Sequence, residues 1–252
     1  MSGERIAALL LQAHAGGGLI APADGPELSD LAEAYRAQDI VVRALGRGAR
    51  VHAWKVIPPQ PGEEPRAAPI PPGKVFASPA RVSARGLHMI GIEGEIAFRF
   101  ARDLPARGTP YADEEVAAAV GEALVTIEIC DTRLAGWKDA PALWKLADLQ
   151  SNAALVAGNG RPDWRAIDFA SQRAELWIDG ALRVAAQGSH AAVNPFRIVP
   201  WIANHCAARC CGLRAGDVVT AGSWTGITFV QPGAEVQVRF PGIGEACAAI
   251  AD

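Results

Sequence analysis

The chain has 252 residues, enough for one large domain or a domain with an extension, and its 50% hydrophobic and 20% charged content is ordinary for a globular protein. Lys and Arg number 24 against 27 Asp and Glu, with no basic run, which argues against a nucleic-acid partner. The apolar run Ile6–Leu11 is too short to span a bilayer and Met1–Arg5 lacks the basic region of a signal peptide, so no membrane partner and a cytoplasmic location are expected.

Residues 4–14 read as a short amphipathic helix ended by Gly16-Gly17-Gly18, a run without the Gly-Lys-Ser/Thr ending of a phosphate loop. Ser29-Asp30 supplies an N-cap for a second helix over about 30–46, with Gly46 and Gly48 after it. Gln38 falls inside that helix's apolar stripe and is expected to be a satisfied buried amide. Val51–Ile57 reads as a strand with Lys55 inside an apolar run, where most lysines snorkel to water. Seven prolines between 58 and 72 point to a long loop. A strand over about 90–100 follows, then a helix over 113–123 opened by Asp113-Glu114-Glu115, then the alternating strand Val125–Cys130. A strand at Ala153–Ala157, a hairpin near Asp179-Gly180, a helix over 195–211 and strands at 217–221, 227–230 and 235–240 complete the chain. This last third is dense in Gly and short strands, which suggests a closed or rolled sheet.

The most informative stretch is Ile92-Glu93-Gly94-Glu95-Ile96-Ala97-Phe98. Positions i and i+2 of a strand share a face, so the two carboxylates project side by side, roughly 7 Å apart at the backbone. Like charges that close on an apolar strand need a shared proton or a cation between them, unless the strand merely has a half-exposed polar face. Glu128 is a third carboxylate on a second strand. Three oxygen ligands suit Mg²⁺, Mn²⁺ or Ca²⁺ and leave coordination positions open for water or a chelating 2-oxo acid. Lys55 is then placed to neutralise a substrate carboxylate or to share proton transfer. The five cysteines, Cys130, Cys206, Cys210, Cys211 and Cys247, are expected to be reduced. His205, Cys206 and Cys210 can share a helix face, but their spacing matches no zinc pattern.

The segments IEGEIAF (92–98), TIEICDTR (126–133), LADLQSNAALVAG (146–158) and WIANHCAARCCGLRAGDVVTAGSWTG (201–226), in that order, resemble the fumarylacetoacetate hydrolase superfamily, above all its 2-keto-4-pentenoate hydratase and 4-oxalocrotonate decarboxylase branch. The resemblance implies an α+β fold, a mixed β-roll over 51–252 with an N-terminal helical extension over 1–50. It implies Mg²⁺ or Mn²⁺ held by Glu93, Glu95 and Glu128. It places Lys55 and Asp148 at the catalytic positions, and Lys55, Ser151 and Ser223 against the substrate. It implies a lyase that hydrates a 2-hydroxy-2,4-dienoate in aromatic or related catabolism. The alternatives are a 4-oxalocrotonate-type decarboxylase and a non-catalytic partner subunit. A homo-oligomer, and association with a related decarboxylase or hydratase, are implied as well. Asp148 stands where the superfamily's hydrolases carry a catalytic lysine, which favours hydratase or decarboxylase. Val56-Ile57-Pro58-Pro59 departs from the small polar turn usual after the lysine, and Leu149-Gln150 from the usual Asn-Ala, so both bear on substrate choice.

Overall fold

The computed structural model describes residues 2–59 and 62–252. Two helices lead: α1 (Ser2–His14) and α2 (Leu31–Leu45), the latter capped by the Asp30 carboxylate, which accepts from the Glu33 N–H. The strands are β1 (Ala53–Ile57), β2 (Arg66–Pro69), β3 (Val75–Ala77), β4 (Ala80–Ser83), β5 (Gly91–Phe100) and β6 (Leu104–Pro105). Then come α3 (Asp113–Ala119), β7 (Val120–Cys130), α4 (Ala142–Ala147), β8 (Asn152–Arg161), β9 (Arg173–Ile178) and β10 (Ala181–Gln187). The chain closes with α5 (Val199–Arg209), β11 (Gly212–Leu213), β12 (Val218–Ser223), β13 (Thr228–Phe229), β14 (Glu235–Phe240) and β15 (Gly244–Ala251). Among the described residues no helix is long and apolar enough to cross a membrane.

One mixed sheet runs β2-β1-β12-β5-β7-β8-β3, with β13 also on β5, and a second runs β10-β9-β14-β15-β4. The pairs β1–β12, β3–β8 and β4–β15 are parallel. This is the expected α+β mixed roll preceded by helices. Alternation along the central strands sends Ile92, Ile96, Phe98, Val125, Ile127 and Ile129 into the core shared with the second sheet, where they join Leu176, Val238 and Phe240. Glu93, Glu95, Ala97, Thr126 and Glu128 therefore lie on the other face, together with Lys55. The glycine between the two glutamates is a packing requirement: a Cβ at Gly94 would stand 2.8 Å from Val238 Cγ1 of the second sheet. On the far side, α1, α2 and α4 share a separate apolar cluster built on Ile6, Leu10, Val41, Trp144 and Leu146. Gln38 ties it to the sheet by donating to the carbonyls of Leu146 at 2.8 Å and Ala67 at 3.2 Å, the satisfied amide expected.

Several elements depart from the sequence-based expectation. The proline-rich segment contains β2, which is tolerated because β2 is an edge strand and Pro69 sits at its end; Gln60 and Pro61 of that segment lie outside the described residues. The helix expected to reach 123 stops at Ala119, and Val120 already begins β7, because pairing with β5 overrides the alanine-rich helical propensity. The closing strand β15, GEACAAIA, was not expected because alanine is a weak strand former; its alternate residues Ala246, Ala248 and Ile250 are buried.

Phe98 is fully buried and meets Trp164, Phe169 and Phe196 edge-on or near it at 5.5, 6.3 and 5.6 Å between ring centroids. Phe98→Ala is expected to lower the unfolding free energy by about 3–5 kcal/mol, measurable by urea denaturation; a loss under about 1 kcal/mol would mean this aromatic cluster does not anchor the core.

Candidate active site

Five adjacent strands build the site. Register pairs Glu93 of β5 directly with Glu128 of β7, and Glu95 with Thr126. On the other flank β12 brings Ser223 opposite Glu95 after a bulge, and β1 brings Lys55 opposite Thr220. On β8, Asn152 pairs with Cys130 of β7. The side chains named from the sequence, Lys55, Glu93, Glu95, Glu128 and Ser223, thus converge on one face of the sheet.

Each carboxylate has a distinct set of partners. Glu128 is fully buried; its Oε1 accepts from Lys55 Nζ at 2.6 Å and from Asn152 Nδ2 at 3.0 Å, while its Oε2 has no hydrogen-bond partner. Glu95, 2% exposed, accepts through Oε2 from the Thr220 hydroxyl and from the Gly222 N–H at 3.0 Å. Glu93 accepts through Oε2 from the Cys130 thiol at 3.5 Å. The Ser223 hydroxyl oxygen is buried without a hydrogen bond of sound geometry.

The electrostatics follow from this crowding. Burial, then the charges of Glu128 and Glu93, push Glu95 from an ordinary 4.5 up to about 8. Burial and Glu128 likewise raise Glu93. Burial works against the Lys55 ammonium, but the facing Glu128 overrides it and holds the amine above its ordinary value. Three carboxylates thus share one ammonium. Glu128 Oε2, a buried acceptor with no donor among the described residues while Lys55 pairs with Oε1, is where a cation would bind, because a buried acceptor left unsatisfied is costly. Oxygens of Glu93 and Glu128 lie close enough to share one divalent ion such as Mg²⁺ or Mn²⁺, whereas Glu95, tied to Thr220 and Gly222, stands outside that cluster of ligand atoms.

Lys55 does not snorkel to water. Its Nζ also donates to the backbone carbonyl of Gln150 at 3.0 Å, and the residue is 7% exposed. That carbonyl is presented by an unusual turn in which Leu149, Gln150 and Ser151 all have positive φ, 52°, 52° and 59°. Successive non-glycine residues in the left-handed region carry strain of order 1–2 kcal/mol each. Hydrogen bonds hold the turn shut: the Ser151 N–H donates to the Asp148 carbonyl, and the Ser151 carbonyl accepts from the Asp131 N–H, both at 2.9 Å. Ser151 thus enters this description through its backbone.

Asp148 is engaged elsewhere than the carboxylate trio. Its fully buried carboxylate accepts from Arg133 Nε at 2.5 Å, the Arg133 N–H at 3.0 Å and the Thr132 hydroxyl at 3.3 Å. Arg133 in turn lies 3.5 Å from Asp131, whose Oδ1 accepts from the N–H groups of His88 and Met89. His205, Cys206 and Cys210 do not gather as metal ligands: His205 stacks on Trp201 at 4.8 Å. Among the described residues, the cluster of three ligand atoms close enough to hold one ion is Glu93, Glu128 and Cys130.

Sequence reading overlooked Cys130, Asn152, Thr220 and the Gln150 carbonyl. Cys130 was within reach, being two residues from Glu128 on an alternating strand. The others depend on strand register and a turn conformation that no local pattern encodes.

The fumarylacetoacetate hydrolase C-terminal family model matches residues 40–251. A 2-keto-4-pentenoate hydratase of Burkholderia vietnamiensis is 29% identical over 95% of this chain and 94% of its own length. A 2-keto-4-pentenoate hydratase of Paraburkholderia phymatum is 28% identical over 71% of this chain and 70% of its own length. Among solved structures, a 4-oxalocrotonate decarboxylase from Pseudomonas putida G7 complexed with magnesium and adipate superimposes with a TM-score of 0.83 at 22% identity, covering 99% of this chain and 98% of that one.

Two measurements check this site. Because the folded pKa of Glu95, about 8, lies above its ordinary 4.5, folding binds a proton there; that stability is present below about pH 4.5 and is lost as pH rises through about 8. The melting temperature in EDTA is therefore expected to fall between pH 5 and 8.5, and saturating Mg²⁺ or Mn²⁺ to remove the fall; a flat profile in EDTA would contradict the crowding. Asp148→Asn, which removes the nearer of the two carboxylates facing the buried Arg133 and leaves it only Asp131, is expected to cost about 3 kcal/mol in chemical denaturation.

Proposed function

The chain belongs to the fumarylacetoacetate hydrolase family, and from that premise we propose that it is a divalent-metal-dependent hydratase that adds water to a 2-hydroxy-2,4-dienoate. It is an enzyme of the lyase class, as are the hydratases and the decarboxylase among its relatives. The single observation that carries the proposal is the unpartnered, fully buried Oε2 of Glu128 beside Glu93 and Glu95. A divalent cation would satisfy that atom, and a 2-oxo acid chelates such an ion through adjacent oxygens.

Glu93, Glu95 and Glu128 would hold Mg²⁺ or Mn²⁺, which when bound stabilises negative charge on the substrate's 2-oxygen. The remaining work falls to the chain's own groups. Lys55, fixed between Glu128 Oε1 and the Gln150 carbonyl, presents a positive charge to the substrate carboxylate and can pass a proton at its Nζ. The Ser223 hydroxyl, which stands beside Glu93, is placed to bond a substrate oxygen. Ketonisation removes the 2-hydroxyl proton and places one at C5; water then bonds C4 and a proton reaches C3.

Asp148 acts in this reading as a positioning residue. It holds Arg133 and anchors the turn whose Gln150 carbonyl aims Lys55. Its commitment to Arg133 also supports a hydratase over a C–C hydrolase, since no ammonium occupies the 148 position. The wider expectations belong to the same proposal: a 2-hydroxy-dienoic acid from aromatic or related catabolism, a homo-oligomer, association with a related decarboxylase and a cytoplasmic location.

The test is incubation of the protein with Mg²⁺ or Mn²⁺ and 2-hydroxypenta-2,4-dienoate, with the product identified by NMR. A 4-hydroxy-2-oxo acid is expected; CO₂ release from a 2-oxo-3-enedioate with no hydration would replace the hydratase with a decarboxylase. Glu95→Ala is expected to abolish turnover and weaken Mn²⁺ binding, read by the ion's paramagnetic resonance signal, with an unchanged circular dichroism spectrum. An unaltered Mn²⁺ affinity would remove Glu95 from the site.

A further inference from the structure

Cys130 has no place in the oxygen-only site described above, yet the fold puts it there. It follows Glu128 by two residues on β7, so both side chains leave the same face. Opposite it on β5 stands Gly91, where a Cβ would come 3.2 Å from the Cys130 Cβ and 2.4 Å from Ile227 Cδ1. The strand therefore faces the thiol with no side chain at all. A carboxylate oxygen of Glu93, one of Glu128 and the Cys130 sulfur all lie within 4.8 Å of one another. Ligands on opposite sides of one ion stand about 4–4.8 Å apart, given bond lengths of about 2.0–2.4 Å, so the three atoms fall within the span of one ion's coordination sphere. One feature points to a cation beside this thiol: Glu128 is fully buried and its Oε2 is unpartnered among the described residues. The Cys130 thiol faces the same carboxylates, donating to Glu93 Oε2 at 3.5 Å.

Resting on the metal-site reading above, we propose that Cys130 is a sulfur ligand of the ion held by Glu93 and Glu128, and that it shifts the site's preference from Mg²⁺ toward borderline ions such as Co²⁺, Fe²⁺ and Zn²⁺. A sulfur–metal bond forms, the S–H bond breaks, and its proton leaves to solvent; a bound divalent ion is sufficient to deprotonate a coordinating thiol. Soft thiolate raises affinity for later transition metals and does little for Mg²⁺, which demands oxygen and keeps its waters. Glu95, tied through Oε2 to Thr220 and Gly222, closes the site from the β12 side. The ion choice of this chain is thus set by a residue two positions along from a shared ligand.

The experiment is a Co²⁺ titration of the EDTA-stripped protein followed by absorption, with Cys130→Ser, Cys130→Ala and Glu128→Gln alongside. The wild type is expected to show visible ligand-field bands together with a near-ultraviolet thiolate-to-cobalt charge-transfer band. Both cysteine variants are expected to lose the near-ultraviolet band, keep visible bands, and bind Co²⁺ at least about tenfold less tightly relative to Mg²⁺. Glu128→Gln is expected to weaken both sets of bands. Visible bands in the wild type without the near-ultraviolet band would overturn the sulfur ligand and leave the carboxylate site standing. A charge-transfer band that survives in both cysteine variants would assign it to another thiol and overturn the proposal. Absence of any Co²⁺ spectrum in the wild type would overturn both readings together.

Discussion

The constraint on which this structure depends is the crowding of three carboxylates, Glu95 and Glu128 buried and Glu93 partly so, around one ammonium on one face of a sheet. No arrangement of Glu93, Glu95, Glu128 and Lys55 is electrically neutral when all are ionised. The protein offsets the excess in three ways at once. Thr220 and the Gly222 N–H donate to Glu95, Asn152 and Lys55 donate to Glu128, and Glu95 is raised to about 8. These measures leave Glu128 Oε2 without a partner. A binding site is a place where the fold stops short of satisfying itself, and here the shortfall has the sign of a divalent cation.

The glycines of the site follow from the same constraint. Gly94 lets the second sheet approach through Val238 and so fixes the face on which Glu93 and Glu95 must lie. Gly91 clears space first for Ile227, whose Cδ1 a Cβ would meet at 2.4 Å, and then for Cys130. The Glu-Gly-Glu pattern, read first as an electrostatic oddity, is therefore equally a packing pattern: the carboxylates face one way because the intervening position must face the other with no side chain at all.

That division explains what was legible in the sequence. Period-2 alternation gave the shared face of Glu93 and Glu95, the resemblance joined Glu128 to them, and the charge inside an apolar strand drew notice to Lys55. The site residues that were missed are those whose position depends on non-local pairing. Thr220 faces the site because β12 lies between β1 and β5, and nothing in Val218–Ser223 records that order. Asn152 faces it because β8 pairs with β7. Local propensity predicts a helix over 113–123, whereas the start of β7 at Val120 is decided by pairing with β5. The closing strand β15 was invisible because its buried residues are mostly alanine, and only its neighbours β14 and β4 make a strand of them.

The helices far from the carboxylates are part of the same mechanism of support. The left-handed turn at Leu149–Ser151 is strained, and strain persists only where the surroundings over-determine it. Leu149 is fully buried in the cluster formed by α1, α2 and α4. Gln38 of α2 holds the Leu146 carbonyl at the end of α4, and the Asp148–Arg133 pair holds the next residues from the sheet side. Between these two grips the chain has no freedom to relax Gln150 to an ordinary conformation. Its carbonyl therefore stays 3.0 Å from Lys55 Nζ and keeps the ammonium against Glu128. Loosening the N-terminal helices would release the turn first and the lysine next, so that a lesion on α2 would reach the carboxylates through Gln150 without touching any of them.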